Sequence, residues 1–360
     1  MRTDLEPLNR SNDPRGPLIA VLGASGYIGS AVVGELARLP VRVRAVTRGT
    51  GPLRADAAAG AADITVCRVD PARPGAVGEA VDGADAVIHL AAEIGGAQSW
   101  RSAAQGSQDV AAALMRDVVG ALGGGAGTPP ALVFASTVQA AATGGTGPGP
   151  YARQKIAAER VLARATSEGT VRGAVLRLAT VFGRSTPAGS VGRGVLTAMT
   201  RRAIDGEPLT MWHDGSVERD FLHVQDAARA FVAALPRVDA ARGGGPWDVG
   251  TGTTARLGDV FSDVAALVAE HTGRAPVPVV SVAPPEYADT GDFHSPRCDP
   301  SAFRSVTGWR PRVPLREGLD DLVTAMTATT ATTTTATTAT TATTATATTT
   351  TARSKDGSRQ

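Results

Sequence analysis

The sequence predicts an α/β fold: a doubly wound, mostly parallel sheet joined to a smaller, discontinuous C-terminal substrate domain. Three observations predict it. From Leu18 to Leu178 short apolar runs alternate with amphipathic stretches, the rhythm of strands joined by crossover helices. The first run passes directly into a glycine cluster that opens a helical pattern, as in strand, tight turn and helix. After Val323 the chain becomes almost pure alanine and threonine, which marks where a foldable sequence ends.

Taken in order, residues 1–17 are polar and proline-punctuated and are expected to be disordered. Leu18 to Leu22 is the first strand, followed by Gly23-Ala24-Ser25-Gly26-Tyr27-Ile28-Gly29 and a helix from Ser30 to Leu39. Glycines there allow a tight turn and a close approach of backbone to a pyrophosphate, while the helix start offers unpaired N–H groups to the anion. Gly23, Ser25, Gly26, Tyr27, Ile28 and Gly29 are therefore candidate dinucleotide contacts. The second strand, Val41 to Val46, ends in Thr47-Arg48. A carboxylate at that point would bind the ribose hydroxyls of NAD, whereas an arginine suits a 2′-phosphate. Arg48 thus points to NADP(H), with NAD(H) as the alternative.

Ile64 to Val69 is the third strand and leads to Asp70, placed either at the adenine edge or as a helix cap. The fourth, Ala86 to Leu90, runs into Ala91-Ala92. Leu90, Ala91 and Ala92 let the backbone pass close to the cofactor, and His89 reads as a packed strand residue. A polar loop between Gly95 and Gly106 carries Gln98, Ser99, Trp100 and Arg101, the kind of loop that rims an active site. A helix over Ser107 to Leu122 follows, then a strand over Ala131 to Ala135 that carries Ser136-Thr137. Beyond a Gly/Pro loop, Tyr151 opens a helix to about Ala165, and Val171 to Leu178 is a further buried strand.

Tyr151 and Lys155 stand four residues apart, on one face of their helix. A phenol can move a proton to or from a carbonyl or carbinol oxygen, a hydroxyl can steady that oxygen, and a lysine can tune the phenol. Thr137, Tyr151 and Lys155 are the candidate catalytic set.

Composition excludes several classes. With 360 residues, 42% hydrophobic content and a net charge of +2 spread without basic blocks, the chain can bury a large core and gives no reason to expect nucleic acid or a membrane surface as partner. Cys67 and Cys298 are far apart and the histidines are scattered, so neither a disulfide framework nor a metal site is expected. With no apolar run of ~18 residues, a cytoplasmic enzyme is expected.

The ordered motifs resemble the extended short-chain dehydrogenase/reductase family, the epimerase and dehydratase group acting on nucleotide-activated sugars, with its Rossmann-like fold. The resemblance spans about Leu18 to Val323. It rests on Gly23/Gly26/Gly29, Asp70, His89-Leu90-Ala91-Ala92, Ser136-Thr137, Tyr151/Lys155, Leu176-Arg177 with Val181-Phe182-Gly183, the run Asp214 to Asp226, Trp247-Asp248-Val249-Gly250, and Gly308-Trp309-Arg310-Pro311. It implies that Tyr151 is the general acid/base, that Lys155 binds the nicotinamide ribose and lowers the tyrosine pKa, and that Thr137 binds the sugar oxygen. Arg219 matches the arginine that grips the substrate diphosphate. Ser136, Trp100 and Arg193 are further expected substrate contacts, Arg193 or Arg297 supplementing the phosphate clamp because no arginine stands just before Gly291-Asp292.

Members that eliminate water carry acids after the threonine, where this chain has Val138-Gln139, and the usual Val-Tyr-Gly is replaced by Ala140-Ala141-Ala142. Without those acids elimination is disfavoured. Finer details, including Gly95-Gly96 with Ser99-Trp100-Arg101, resemble actinomycete NDP-hexose 4-ketoreductases of deoxysugar and antibiotic biosynthesis. That resemblance implies reduction of a dTDP-4-keto-6-deoxyhexose. The alternatives are an NDP-sugar 4-epimerase with tightly bound NAD and a non-catalytic dinucleotide-binding protein of the same fold. A homodimer is usual in the family. The expected organisation is a nucleotide-binding part at 18–185 with pieces returning near 213–250, a mainly substrate-binding part at 186–323, and a disordered Thr/Ala tail at 324–360.

Overall fold

The computed structural model describes residues 5–328 except 11, 50–60, 70–72, 74, 92–106, 126, 142–146, 185–191, 193, 242–245, 287 and 289–291, and except the side chains of 107–109. The strands in chain order are β1 Leu18–Leu22, β2 Arg42–Thr47, β3 Asp63–Arg68, β4 Ala86–His89, β5 Ala131–Thr137, β6 Arg172–Leu178, β7 Thr180–Phe182, β8 Leu209–Met211, β9 Glu218–His223, β10 Trp247–Val249, β11 Thr254–Arg256 and β12 Val279–Ser281. The helices are α1 Tyr27–Leu36, α2 Ala76–Val81, α3 Ser107–Leu122, α4 Pro150–Ser167, α5 Val195–Ile204, α6 Val224–Ala234, α7 Leu257–Thr272 and α8 Ser301–Thr307, and α9 covers 315–328.

Seven strands form one parallel sheet in the order β10-β6-β5-β4-β1-β2-β3. The chain reverses direction across the sheet between β1 and β4, so a crevice opens beyond their carboxyl ends. Both faces of the sheet are covered. Ile19 and Val21 of β1 pack with α1 and α6 in one layer, around Leu36, Phe231, Trp247 and Phe303. Ala20 and Leu22 face the other layer, with Met115 of α3 and Leu162 of α4, the period of two that a strand buried on both faces requires.

A second core holds Leu196, Leu209, Phe221, Phe261, Leu319 and Val323, drawn from α5, α7, α9 and the short sheets β11-β9-β7 and β12-β8. Pieces beyond 186 also return to the first core. α8 is one, its Phe303 ring 5.6 Å from Trp247 and 5.5 Å from Trp309. Asp226 fastens that return: fully buried, it accepts from the backbone N–H groups of Arg312 at 2.7 Å and Val313 at 3.0 Å.

Several boundaries differ from the sequence expectation. Within residues 5–17, of which Ser11 lies outside the described residues, Leu5 and Leu8 are buried in the first core. Asp85 holds the approach by accepting from the N–H groups of Arg10 at 3.0 Å and Leu18 at 2.7 Å. α1 begins at Tyr27, because Gly26 is extended and serves as its N-cap. Ser136 and Thr137 belong to β5 itself, paired with Arg177 and Leu178. The start of the expected tail, 324–328, continues α9, with Met326 buried and Thr327 Oγ1 donating to the Val323 carbonyl at 2.9 Å; the rest of the tail lies outside the described residues.

Candidate active site

The glycine turn is built from backbone. Gly23 has φ +87°, a conformation glycine reaches without strain, and a Cβ there would lie 3.1 Å from the Ala91 nitrogen. A Cβ on Gly29 would overlap the Gly23 carbonyl oxygen, and one on Gly26 would reach the same oxygen at 3.0 Å. The N–H groups of Gly23 and Ala24 both donate to Val46 O at 3.1 Å, tying the turn to β2. α1 starts without a side-chain cap, so its first N–H groups face the crevice as an anion cradle that side chains would block. A dinucleotide pyrophosphate fits it. Ser25 is exposed and Ile28 half-buried there.

The Tyr27 side chain has a partner across the chain. Its hydroxyl donates to Gly183 O at 2.8 Å, and a Cβ on Gly192 would lie 2.9 Å from its ring. The ring therefore bridges to the chain beyond β7, and burial pushes its hydroxyl pKa well up. Leu90 and Ala91 are half-buried beside Gly23, Leu90 N donating to Leu22 O at 3.0 Å. Arg48 is exposed just beyond β2. Asp70, Ala92, Trp100 and Arg193 lie outside the described residues.

Two strands across, the ends of β5 and α4 meet. Thr137 closes β5, buried, its Oγ1 accepting from Gln139 N at 3.3 Å. Tyr151 stands in the first turn of α4, which starts with Pro150 after the extended cap Gly149. One turn on, Lys155 is buried and its Nζ donates to Ala135 O at 2.8 Å. That nitrogen lies 4.9 Å from the centre of the Phe134 ring and 5.9 Å from that of Tyr151, close enough for cation–π attraction.

Burial sets both acidities. It pushes the Tyr151 hydroxyl up to about 12 and pulls Lys155 down to about 8, the latter opposed by the nearby Glu159 carboxylate. For Tyr151 the cause is desolvation, which disfavours the tyrosinate. His89 stands beside them with its ring 5.3 Å from Phe134 and its Nδ1 buried without a hydrogen-bond partner. Burial, then the Lys155 charge, holds it down to about 3, so it is neutral.

Two expected substrate contacts have other partners. Ser136 is buried and its hydroxyl donates to Glu159 Oε1 at 2.5 Å, because alternation along β5 turns it to the face that α4 covers. Arg219, also buried, donates to the carbonyls of Glu218 at 2.9 Å, Asp292 at 3.1 Å and His294. Its fork closes on residues 292–294 in this arrangement. A cavity of about 780 Å³ lies outside the crevice, between α4 and β6, lined by Ile156, Glu159, Arg160, Thr166, Val175 and Arg177. Among the described residues no cluster of three or more His, Cys, Asp or Glu could hold a metal ion, and no helix is long and apolar enough to cross a membrane.

Sequence reading missed Phe134, Glu159 and the bridging role of Tyr27. Glu159 carried a signal, since it follows Lys155 at the same four-residue spacing that joins Lys155 to Tyr151.

A seven-stranded parallel sheet with a glycine turn at its switch point defines a Rossmann-like dinucleotide-binding fold. The chain belongs to the NAD dependent epimerase/dehydratase family, whose model matches residues 19–250. It is similar to the dTDP-L-rhamnose 4-epimerase of Burkholderia thailandensis, 33% identical over 48% of this chain and 45% of that protein. It is also similar to the dTDP-6-deoxy-L-talose 4-dehydrogenase (NAD(P)(+)) of Kitasatospora kifunensis, 32% identical over 49% of this chain and 52% of that one. The chain thus spans about half the length of these curated relatives. Among solved structures, MoeE5 in complex with UDP-glucose and NAD is similar at a TM-score of 0.67 and 27% identity, covering 87% of this chain and 99% of that one.

Proposed function

We propose that the protein transfers hydride between a nicotinamide dinucleotide and C4 of a nucleotide-activated hexose, as the reductase of a 4-keto-6-deoxyhexose. The observation that carries this reading is the tie between the end of β5, which Thr137 closes, and the start of α4, which carries Tyr151 and Lys155: Lys155 Nζ bonds to Ala135 O two strands from the glycine turn. When bound, the dinucleotide supplies the hydride. Tyr151, with its pKa pushed up to about 12, is protonated at neutral pH and suited to give its proton to a carbonyl oxygen as charge develops there. Thr137 accepts from Gln139 N and keeps its own hydroxyl proton for the same oxygen. Lys155 would hold the nicotinamide ribose beside them. Val138 and Gln139 offer no acid for removing a hydroxyl, which argues against dehydration.

A phenol protonated at neutral pH can serve as the acid of such a reduction. A 4-epimerase, which begins by oxidation, is the second reading; likeness to a dTDP-L-rhamnose 4-epimerase supports it. Arg48, exposed beyond β2, supports NADP(H), and the NAD of the MoeE5 complex supports NAD(H). The test is incubation with dTDP-4-keto-6-deoxyglucose and its isomers, with NADPH or NADH, following nicotinamide absorbance and the C4 configuration of the product. Stoichiometric cofactor consumption is expected. Isomerisation without net consumption, by protein carrying bound NAD, selects the epimerase; no change in any nucleotide sugar rejects both.

A further inference from the structure

We propose that Glu159 is a positioning residue that fastens the end of β5 to α4 and so holds the Lys155 ammonium and Thr137 in register with Tyr151. The proposal rests on the reading of Tyr151, Lys155 and Thr137 as the reacting group.

Lys155 and Glu159 are one helical turn apart and grip consecutive residues of β5. Lys155 Nζ donates to Ala135 O at 2.8 Å, and Glu159 Oε1 accepts from Ser136 Oγ at 2.5 Å. The next residue is Thr137. From β6, Arg177 stands directly across from Ser136 in the parallel register and forks onto the same carboxylate, Nε to Oε1 at 3.0 Å and Nη2 to Oε2 at 2.6 Å. One buried carboxylate therefore joins α4, β5 and β6 one residue from the catalytic hydroxyl. Thr137 and Tyr151 lie on different elements, and their relative position depends on how α4 seats on β5. Charge-assisted bonds to a buried carboxylate set such a seat more firmly than apolar contact alone.

The same carboxylate acts on charge. Lys155 is faced by Tyr151 and Glu159 from its own helix, by the Phe134 ring and the Ala135 carbonyl from β5, by neutral His89 from β4, and, through Glu159, by Arg177 from β6. Burial disfavours the ammonium and Glu159 opposes that. Without Glu159 the opposition is lost and Arg177 stays behind.

Lys155 and Lys355 are the two lysines of the chain, which makes the test direct. In full-length protein labelled with [13Cε]lysine, Lys355, assigned by Lys355→Arg, serves as the reference while Lys155 is titrated without cofactor or sugar. In wild type the Lys155 midpoint is expected near 8. Glu159→Gln, which keeps an acceptor for Ser136 but no charge, should lower it by about one pH unit, and kcat should fall about tenfold above pH 8 as the alkaline limb moves to lower pH. Ser136→Ala, which keeps the charge, should leave the midpoint in place and lower kcat severalfold at every pH. If Glu159→Gln does not fold, the Glu159→Gln/Arg177→Met pair, which removes the Arg177 charge along with its partner, should show the lowered midpoint. An unmoved midpoint in the Glu159 variant that folds overturns the proposal, as does undiminished turnover in Glu159→Gln. Wild-type protein that turns over no nucleotide sugar, yet shows the shifted midpoint, rejects the proposed activity while upholding the role of Glu159 toward Lys155.

Discussion

The glycine turn and the β5–α4 junction are both places where a strand and a helix meet at the edge of the crevice, yet they are made of opposite materials. At the turn the requirement is that nothing project: Gly29 leaves no room for a Cβ, and Gly23 and Gly26 leave only a tight fit for one against backbone. At the junction everything depends on what projects, with Lys155, Ser136, Glu159 and Arg177 tied by hydrogen bonds. The difference separates binding from chemistry. A backbone cradle can hold a phosphate but cannot move a proton, whereas buried side chains can move a proton only if neighbours hold their charge state.

Removing a hydroxyl at the junction sharpens that separation most. Tyr151→Phe should lower kcat about 10²- to 10⁴-fold, while the dissociation constant for the dinucleotide, read by nicotinamide fluorescence, stays within severalfold of wild type. Retained turnover would instead remove Tyr151 from the reacting group. Next in size is Lys155→Met. Burial holds the Lys155 pKa near 8, below its ordinary 10.5, so the folded state gives up a proton that the unfolded state keeps. Wild-type stability should therefore rise from pH 8 toward pH 10 relative to Lys155→Met, and the methionine variant should be the more stable by up to about 3 kcal/mol below pH 8. Denaturant melts at several pH values measure this. A pH-independent difference between the two would mean the ammonium is not held against its hydration.

At the turn the expected effect is smaller and of another kind. Gly29→Ala places a methyl against the Gly23 carbonyl, and backbone cannot swing aside as a side chain can. A loss of about 1–3 kcal/mol of stability is expected, together with weakened dinucleotide binding. The Lys155 titration should not move. A shifted Lys155 midpoint would show that the two junctions are not independent.

The same contrast explains what could be read in the sequence. Glycines at fixed spacing after an apolar strand announce a turn, because the constraint acts on each residue alone. Tyr151, Lys155 and Thr137 could be put forward as a reacting group for a similar reason, as residue types whose chemistry is specific. Glu159 was not, since its partners Ser136 and Arg177 stand far from it in sequence and meet only when β5 and β6 pair. The bond of Ser136 to Glu159 was hidden for lack of the same register, and the fork of Arg219 could not be aimed before residues 292–294 were located beside it. Leu5 and Leu8 were lost in a polar setting that hid two apolar contacts.

Tyr27 belongs to both materials, and the smallest predicted effect falls on it. Its backbone opens α1 inside the glycine turn, while its hydroxyl crosses to Gly183 O at 2.8 Å. Removing that hydroxyl leaves the ring on Gly192 and deletes one buried bond, so Tyr27→Phe should cost about 1 kcal/mol of stability. If the turn binds by backbone alone, dinucleotide affinity should be unchanged. If the crossing bond also seats the chain beyond β7 against the crevice, KM for the sugar should rise while kcat holds, since Tyr151 and Lys155 are untouched. A fall in dinucleotide affinity as large as that from Gly29→Ala would break the division between a cradle made of backbone and a reacting centre made of side chains.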